Sequence, residues 1–306
     1  MDIYSTEPGV DRLMITEATS SDVASLIRYY GVHDQPEADF PMNFGLMALG
    51  LEDRSVNVDL IRATVQDWME LMPEGRIPNW IISSHDESRI LSRFDLEDPQ
   101  NTPNIGKLMG LLLMTLPGTP FVYYGQEIGM IDLDEDDHPL ECQVDVQAES
   151  RDKVRSPMRW DVASDEQYAG FSDCSNPTEP SVDKCPVCPW LPIGKDRDAD
   201  VAKQQADDNS IWKYYQWLIK DVRGADEYTR GELCTTQTGG TTQRFFRFRD
   251  TLELNFYFLK RRMEKGKTFE IVINWSEEAI DFKLESGSAL VTSPSGSEVD
   301  NVTNPR

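Results

Sequence analysis

Four short stretches of apolar, β-branched and aromatic residues punctuate the front of the chain, at 12–16 (RLMIT), 40–46 (FPMNFGL), 79–84 (NWIISS) and 120–124 (PFVYY). Runs this brief, bounded by turn residues, read as strands. Between them the apolar period lengthens to that of a helix. Residues 22–30 place Val23, Leu26 and Ile27 on one face, and residues 58–72 do the same with Leu60, Ile61, Val65, Trp68 and Leu71. Residues 105–116 are apolar almost all round, which predicts a helix buried between layers. Strand, helix, strand in this order predicts βαβ crossovers and a parallel sheet.

The alternation then stops. Residues 131–205 form a long irregular stretch rich in Asp, Pro and Cys. A helix follows at 210–222 (SIWKYYQWLIKDV), with Ile211, Tyr214, Tyr215 and Leu218 at helical spacing. Beyond it, 244–249, 252–258, 269–274 and 279–284 read as strands with no helix between them, FYFLKRR among them as an edge strand. The fold class expected is α/β: the second half of a (β/α)8 TIM barrel over residues 1–224, then a small antiparallel β-sandwich domain over 225–306. Four strands make half of such a barrel and leave an edge unpaired. The expected partner is therefore the amino-terminal half of the same protein.

Each early strand runs into chemistry. RLMITEA ends on Glu17, NWIISSHDESR on His85 and Asp86, and TPFVYYGQEIGM carries Glu127. A (β/α) barrel places its working residues at the carboxyl ends of its strands. Two carboxylates acting together are the minimum needed to cleave a glycosidic bond. Blander readings stand beside these: Glu17 as a cap for the next helix, His85–Asp86 as a satisfied polar contact, and Glu127 as an anchor of its loop.

The chain has 54 acidic against 30 basic residues and a net charge of −24, which argues against nucleic acid as a partner. A neutral substrate meets no such repulsion. No apolar run reaches the length of a membrane helix, and the amino terminus has no basic segment followed by an apolar one, so no signal peptide is read there. Sequons at Asn274 and Asn301 nevertheless suggest an extracellular or secretory-pathway protein. Cys142, Cys174, Cys185, Cys188 and Cys234 read as disulfide formers, the odd count leaving one thiol free or its partner outside this chain; Cys185-Pro-Val-Cys188 lacks the second half of a zinc site. The acidic run Asp132, Asp134, Glu135, Asp136, Asp137 lacks the glycine and spacing of an EF-hand, so it reads as a solvated loop; no metal ligand set and no cofactor are assigned, calcium included.

Five ordered blocks resemble glycoside hydrolase family 13, in particular its animal maltase (α-glucosidase) branch. RLMITEAT is similar to the family's LMTEAY strand, FPMNFGL to PFNF, and PNWIISSHDESRILSRF to NWVLGNHDxxRxxSR. LLLMTLPGTPFVYYGQEIGM is similar to LPGTPxxYYGEEIGM, and ESRDKVRSPMRWD with AGF and WLP to RDxxRSPMQWD…AGF…WLP. The resemblance implies retaining hydrolysis of α-glucosidic bonds in maltose and short oligosaccharides, with no redox cofactor. It implies Glu17 as general acid/base, Asp86 as the carboxylate that grips the sugar and stabilises the transition state, and His85 and Arg155 as substrate-binding. Arg151 and Arg89 compete with Arg155 for that role, and Tyr123 and Tyr124 are expected beneath the site. The acid role asks for an apolar setting that raises the carboxyl's pKa, and Leu13, Met14 and Ile15 are expected to supply it.

Departures from the family pattern qualify the activity. The nucleophilic Asp of the family's GFRxDA block has no counterpart here, so the chain alone is expected to be inactive. Ser84 stands where the family has Asn, and Arg159 where it has Gln. Two other readings remain open. One is the catalytically inactive heavy chain of an amino-acid transporter, which shares the fold. The other is a protein that binds sugar without turning it over.

Overall fold

Proline and asparagine decide where the strands of the barrel segment stop. A computed structural model of the chain describes residues 13–20, 22–32, 35–52, 54–94, 102–134, 151–161, 163, 169–170, 191–223, 232–233, 235–238, 241–244, 256–262 and 268–274. In it β1 is Ile15–Thr16, α1 Val23–Ile27, β2 Gly31–Val32, β3 Gln35–Pro36, β4 Phe40–Pro41, α2 Val58–Leu71, β5 Asn79–Ile81, α3 Thr102–Thr115 and β6 Thr119–Phe121. The strand expected over 40–46 ends at Pro41, and a 3-10 turn occupies Gly45–Ala48. Asn43 lies between them, its side-chain oxygen accepting from the Gly45 N–H. A side chain that bonds the main chain two residues on favours a turn over continued extension. The antiparallel pair β2·β3 carried no pattern that the sequence reading detected.

β1 pairs with β4 in parallel, Ile15 opposite Phe40, and β5 pairs with β6 in parallel, Asn79 opposite Thr119. No main-chain ladder joins the two pairs among the described residues. The amide of Asn79 does so instead: its nitrogen donates to Pro41 O at 2.6 Å, and its oxygen accepts from the Asn43 N–H at 2.9 Å. Asn79 is fully buried. The Phe40 and Phe121 rings also meet edge to face across the pairs, 6.2 Å apart.

The core lies between these strands and helices α2 and α3. Ile61, Val65 and Trp68 of α2, Trp80 and Ile82 around β5, and Met109, Leu112 and Leu113 of α3 are all essentially buried. Asn57 caps α2 by accepting from the Leu60 N–H, the bond expected of an asparagine there. The chain leaves α3 through Gly118, whose φ of 111° no other residue adopts comfortably, and a Cβ there would stand 2.2 Å from Pro78 O. Arg223 closes that end by donating to Met114 O, Leu116 O and Gly118 O.

The irregular stretch is less irregular than expected. It holds a 3-10 turn at Arg151–Val154 and a helix α4 at Val201–Ala206, capped by Asp200. Helix α5, Ile211–Trp217, begins on its cap Ser210 and widens into a π turn at Leu218–Arg223. It packs on α3 where glycines admit it: a Cβ on Gly110 would fall 2.6 Å from the Tyr215 ring.

Beyond residue 231 the described strands are β7 Glu232–Leu233, β8 Thr235–Thr238, β9 Thr241–Arg244, β10 Phe256–Arg262 and β11 Thr268–Asn274. All their pairings are antiparallel. FYFLKRR is not an edge: β10 lies between β11 and β7, since Arg261 and Arg262 find main-chain partners on both sides. The strand expected at 279–284 lies outside the described residues, as do all five cysteines and the sequon at Asn301.

Two variants test this packing. Asn79→Ala strands the Pro41 carbonyl and the Asn43 N–H in the core, and is expected to cost about 2–4 kcal/mol in urea unfolding. Gly110→Ala would add about 1 kcal/mol of helix propensity in an exposed helix. Here the methyl meets a rigid ring, and a net loss of about 1–2 kcal/mol is expected in the same measurement.

Candidate functional site

The loop after β5 brings the expected residues onto one oxygen atom. Ser84 Oγ accepts from the Asp86 N–H at 3.1 Å, so serine supports the turn at the position where the family pattern has asparagine. Asp86 Oδ1 then receives Arg151 Nη1 at 2.5 Å and Arg155 Nη2 at 3.1 Å, with His85 Nε2 at 3.4 Å. Arg155 Nε donates to His85 O at 2.9 Å and so fixes the backbone that carries both residues. Oδ2 makes no hydrogen bond among the described residues. The carboxylate is therefore pinned through one oxygen and offers the other.

Burial opposes ionisation of Asp86, but the hydrogen bond from Arg151 and the charges of His85, Arg151 and Arg155 outweigh it. The net effect holds the carboxyl below its ordinary range, as an anion at neutral pH. Arg151 and Arg155 do not compete for this position; both occupy it, from one 3-10 turn and its exit. The two arginines open and close the segment RDKVR.

What places that turn is a stack beneath it. Tyr123 OH donates to Val154 O at 3.1 Å and Tyr124 OH to Ser156 O at 2.7 Å, which bracket Arg155. The Arg89 guanidinium lies over both rings, 5.0 and 4.9 Å from their centroids, and donates to Tyr124 O at 2.7 Å. Arg89 is 2% exposed. It is a structural partner of the tyrosines and does not face a ligand with Asp86. Its own N–H donates to Asp132 Oδ1, so that member of the acidic run pins a loop.

Glu17 is placed differently. It stands one residue past β1 at the strand's carboxyl end, exposed, and its carboxyl makes no hydrogen bond or ion pair among the described residues. Leu13, Met14 and Ile15 are 62%, 39% and 44% exposed, so they do not form the apolar setting expected around it. Nothing among the described residues covers that face. The Asp86 contacts do not include Glu17.

Glu127 is half-buried in its loop. It sits in the 3-10 turn Gln126–Ile128 between two left-handed glycines, Gly125 and Gly129. Burial pushes its carboxyl above the ordinary value, and the N–H groups of Glu127 and Gly125 with the charge of Arg89 offset this only in part. Its Oε2 is closed off from solvent and has no hydrogen-bond partner among the described residues.

Comparison with known proteins follows the same lines. The family model described as "Alpha amylase, catalytic domain" matches residues 2–231. The human amino acid transporter heavy chain SLC3A1 is 37% identical over 219 residues, which covers 71% of this chain and 27% of that protein. The salivary alpha-glucosidase of Anopheles gambiae is 34% identical over 226 residues, covering 71% and 34%. Maltase 1 of Drosophila virilis is 33% identical over 290 residues, covering 90% and 39%. The chain thus spans well under half the length of each of these relatives. Among solved structures, a mutant isomaltulose synthase from Erwinia rhapontici NX5 superposes with a TM-score of 0.65 at 21% identity, over 90% of this chain and 49% of that one. That likeness shows the fold.

The buried acid makes a prediction about pH. A carboxyl whose pKa is raised on folding contributes stability at pH values below its unfolded pKa, and loses it as pH rises through the folded value. Glu127→Gln is therefore expected to raise the thermal midpoint at pH 8 and to leave it nearly unchanged, or lower it, at pH 4. Equal shifts at both pH values would show that the charge is not what the substitution relieves.

Proposed function

The chain belongs to the alpha-amylase family, glycoside hydrolase family 13, and from that membership we propose that it is part of an α-glucosidase of the maltase type. The observation that carries the reading is Asp86, held ionised by two arginines through Oδ1, with no hydrogen bond to Oδ2 among the described residues. An anion so fixed accepts hydroxyl donors from the terminal glucose. It gains strength as the ring acquires positive charge on the way to an oxocarbenium-like transition state. On this reading Glu17 is the acid/base, and His85 and Arg155 orient the sugar. No GFRxDA-like block occurs in residues 1–306, so the nucleophile is supplied by sequence outside them. The half-barrel over 1–224, the β-sandwich over 225–306 and a secretory-pathway location belong to the same proposal.

A second reading has its own support. SLC3A1, an amino acid transporter heavy chain, is more similar over the shared region than either glucosidase relative, at 37% identity. The chain would then be part of a family member that has kept the Asp86 cluster without hydrolysis.

One set of assays separates the two. The 306-residue chain is expected to hydrolyse neither maltose nor p-nitrophenyl α-glucoside. The full translation product of its gene is expected to hydrolyse both, with Glu17→Gln and Asp86→Asn each lowering kcat by about a thousandfold. Full-length protein inert toward both sugars, yet purified with a membrane transporter subunit, would favour the heavy chain. Turnover by the chain alone, lost on Glu17→Gln, would overturn the expectation that a nucleophile is missing.

A further inference from the structure

Asp132 meets three segments of the chain at once. Its Oδ1 accepts from the Arg89 N–H at 2.7 Å, and its own N–H donates to Ser92 Oγ at 2.8 Å. Its Oδ2 lies 3.9 Å from Lys153 Nζ, and the next residue, Leu133, donates its N–H to Lys153 O at 2.9 Å. The Asp132 side chain is 13% exposed. A carboxylate whose only task was to keep an acidic loop in water would face the water.

These contacts close a ring on the candidate site. Asp86 and Arg89 lie on one loop, three residues apart. Lys153 lies on the turn between Arg151 and Arg155, the two arginines that hold Asp86 Oδ1. The path runs from Asp86 along the chain to Arg89, across Asp132 to the segment of Lys153, and through the arginines back to Asp86. The tyrosine hydroxyls hold the exit of the turn at Val154 and Ser156, while Asp132 and Leu133 hold its middle. A small shift of this turn suffices to loosen the arginines, because a hydrogen bond weakens steeply with distance and angle.

Asp132 also faces other cations. Besides Lys153, the charges of the buried Arg89 and Arg93 act on it, and it offsets part of what burial costs those guanidiniums. That contribution is to stability. The bond from the Arg89 N–H is the link that belongs to the ring.

We propose that Asp132 is a positioning residue for Asp86: it ties the loop after β5 to the Arg151–Val154 turn and so keeps both arginines on Asp86 Oδ1. Its effect on turnover rests on the α-glucosidase reading above; its effect on the carboxylate does not.

His85, Arg151 and Arg155 are the charged groups that face Asp86, so its ionisation reports whether the arginines are in place. The measurement is a pH titration of the Asp86 carboxyl carbon by NMR in the 306-residue chain, with Asp86→Asn to assign the signal. The direction of the shift separates positioning from charge alone. Removing the Asp132 anion lowers the Asp86 pKa through space, whereas loosening the arginines raises it. Asp132→Ala is expected to raise it by at least about half a pH unit. Asp132→Asn keeps an acceptor for the Arg89 N–H and is expected not to raise it. Ser92→Ala frees the Asp132 N–H without changing any charge; it is expected to raise the Asp86 pKa, and it decides the matter if Asp132→Ala does not fold. In the full translation product, Asp132→Ala is expected to lower kcat about tenfold. The proposal is overturned if folded Asp132→Ala leaves or lowers the Asp86 pKa, if Asp132→Asn raises it, or if Ser92→Ala leaves it unmoved. A parent protein inert toward both sugars, with the expected titrations, would remove the glucosidase reading and leave the positioning standing.

Discussion

A guanidinium withdrawn from water and laid across two phenol rings governs the geometry of this site. Burying Arg89 carries a desolvation cost of several kcal/mol, and its Nε and one Nη find no hydrogen-bond partner among the described residues. The attraction of two ring faces and the bond to Tyr124 O offset that cost only while Tyr123 and Tyr124 stay in place. The same tyrosines reach past the arginine and hold the carbonyls of Val154 and Ser156. Arg155 lies between those two carbonyls, so its direction is set from below before it meets Asp86. The chain of cause runs from a buried cation to a fixed backbone to a carboxylate with one oxygen held and one open.

Much of this was legible from residue order. Alternating strands and helices up to residue 124 predicted the parallel pairs, because a parallel partner needs a crossover long enough to hold a helix. The HD pair and the RDKVR segment announced the residues that meet, though spacing alone did not say that both arginines would share one oxygen. Other features were illegible for physical reasons. Asn79 reads as a polar start to a strand, yet it bridges two strand pairs; only the tertiary fold puts Pro41 O and the Asn43 N–H within its reach. Helix α4 lacks an apolar stripe, since Val201 and Gln204 are its buried residues and one of them is polar. FYFLKRR looked like a guarded edge because of its charges, but charged residues near a strand's end do not reveal how many neighbours its backbone has.

The exposed front of β1 bears on the acid/base assignment. A glutamate that protonates a leaving group near neutral pH needs a setting that disfavours its charge. Leu13, Met14 and Ile15 cannot provide one while they face outward. Glu17 and Asp86 therefore differ in kind: the environment of Asp86 is complete within the described residues, whereas that of Glu17 is not. Removing Asp86's partners changes its ionisation, while Glu17 has no partner here to remove.

The distribution of charge narrows what the open oxygen of Asp86 can receive. With 54 acidic residues against 30 basic ones, the chain repels anions at long range. At the site, Arg151 and Arg155 bond the Asp86 carboxylate through Oδ1 and hold it below its ordinary range. An anionic ligand is therefore disfavoured in approach, whereas a neutral hydroxyl donor brings no net charge to desolvate. The arginines keep the carboxylate an acceptor for such a donor. The field of the whole chain and the local pair thus act on the same choice at different distances, in the direction that the proposed α-glucosidase activity requires.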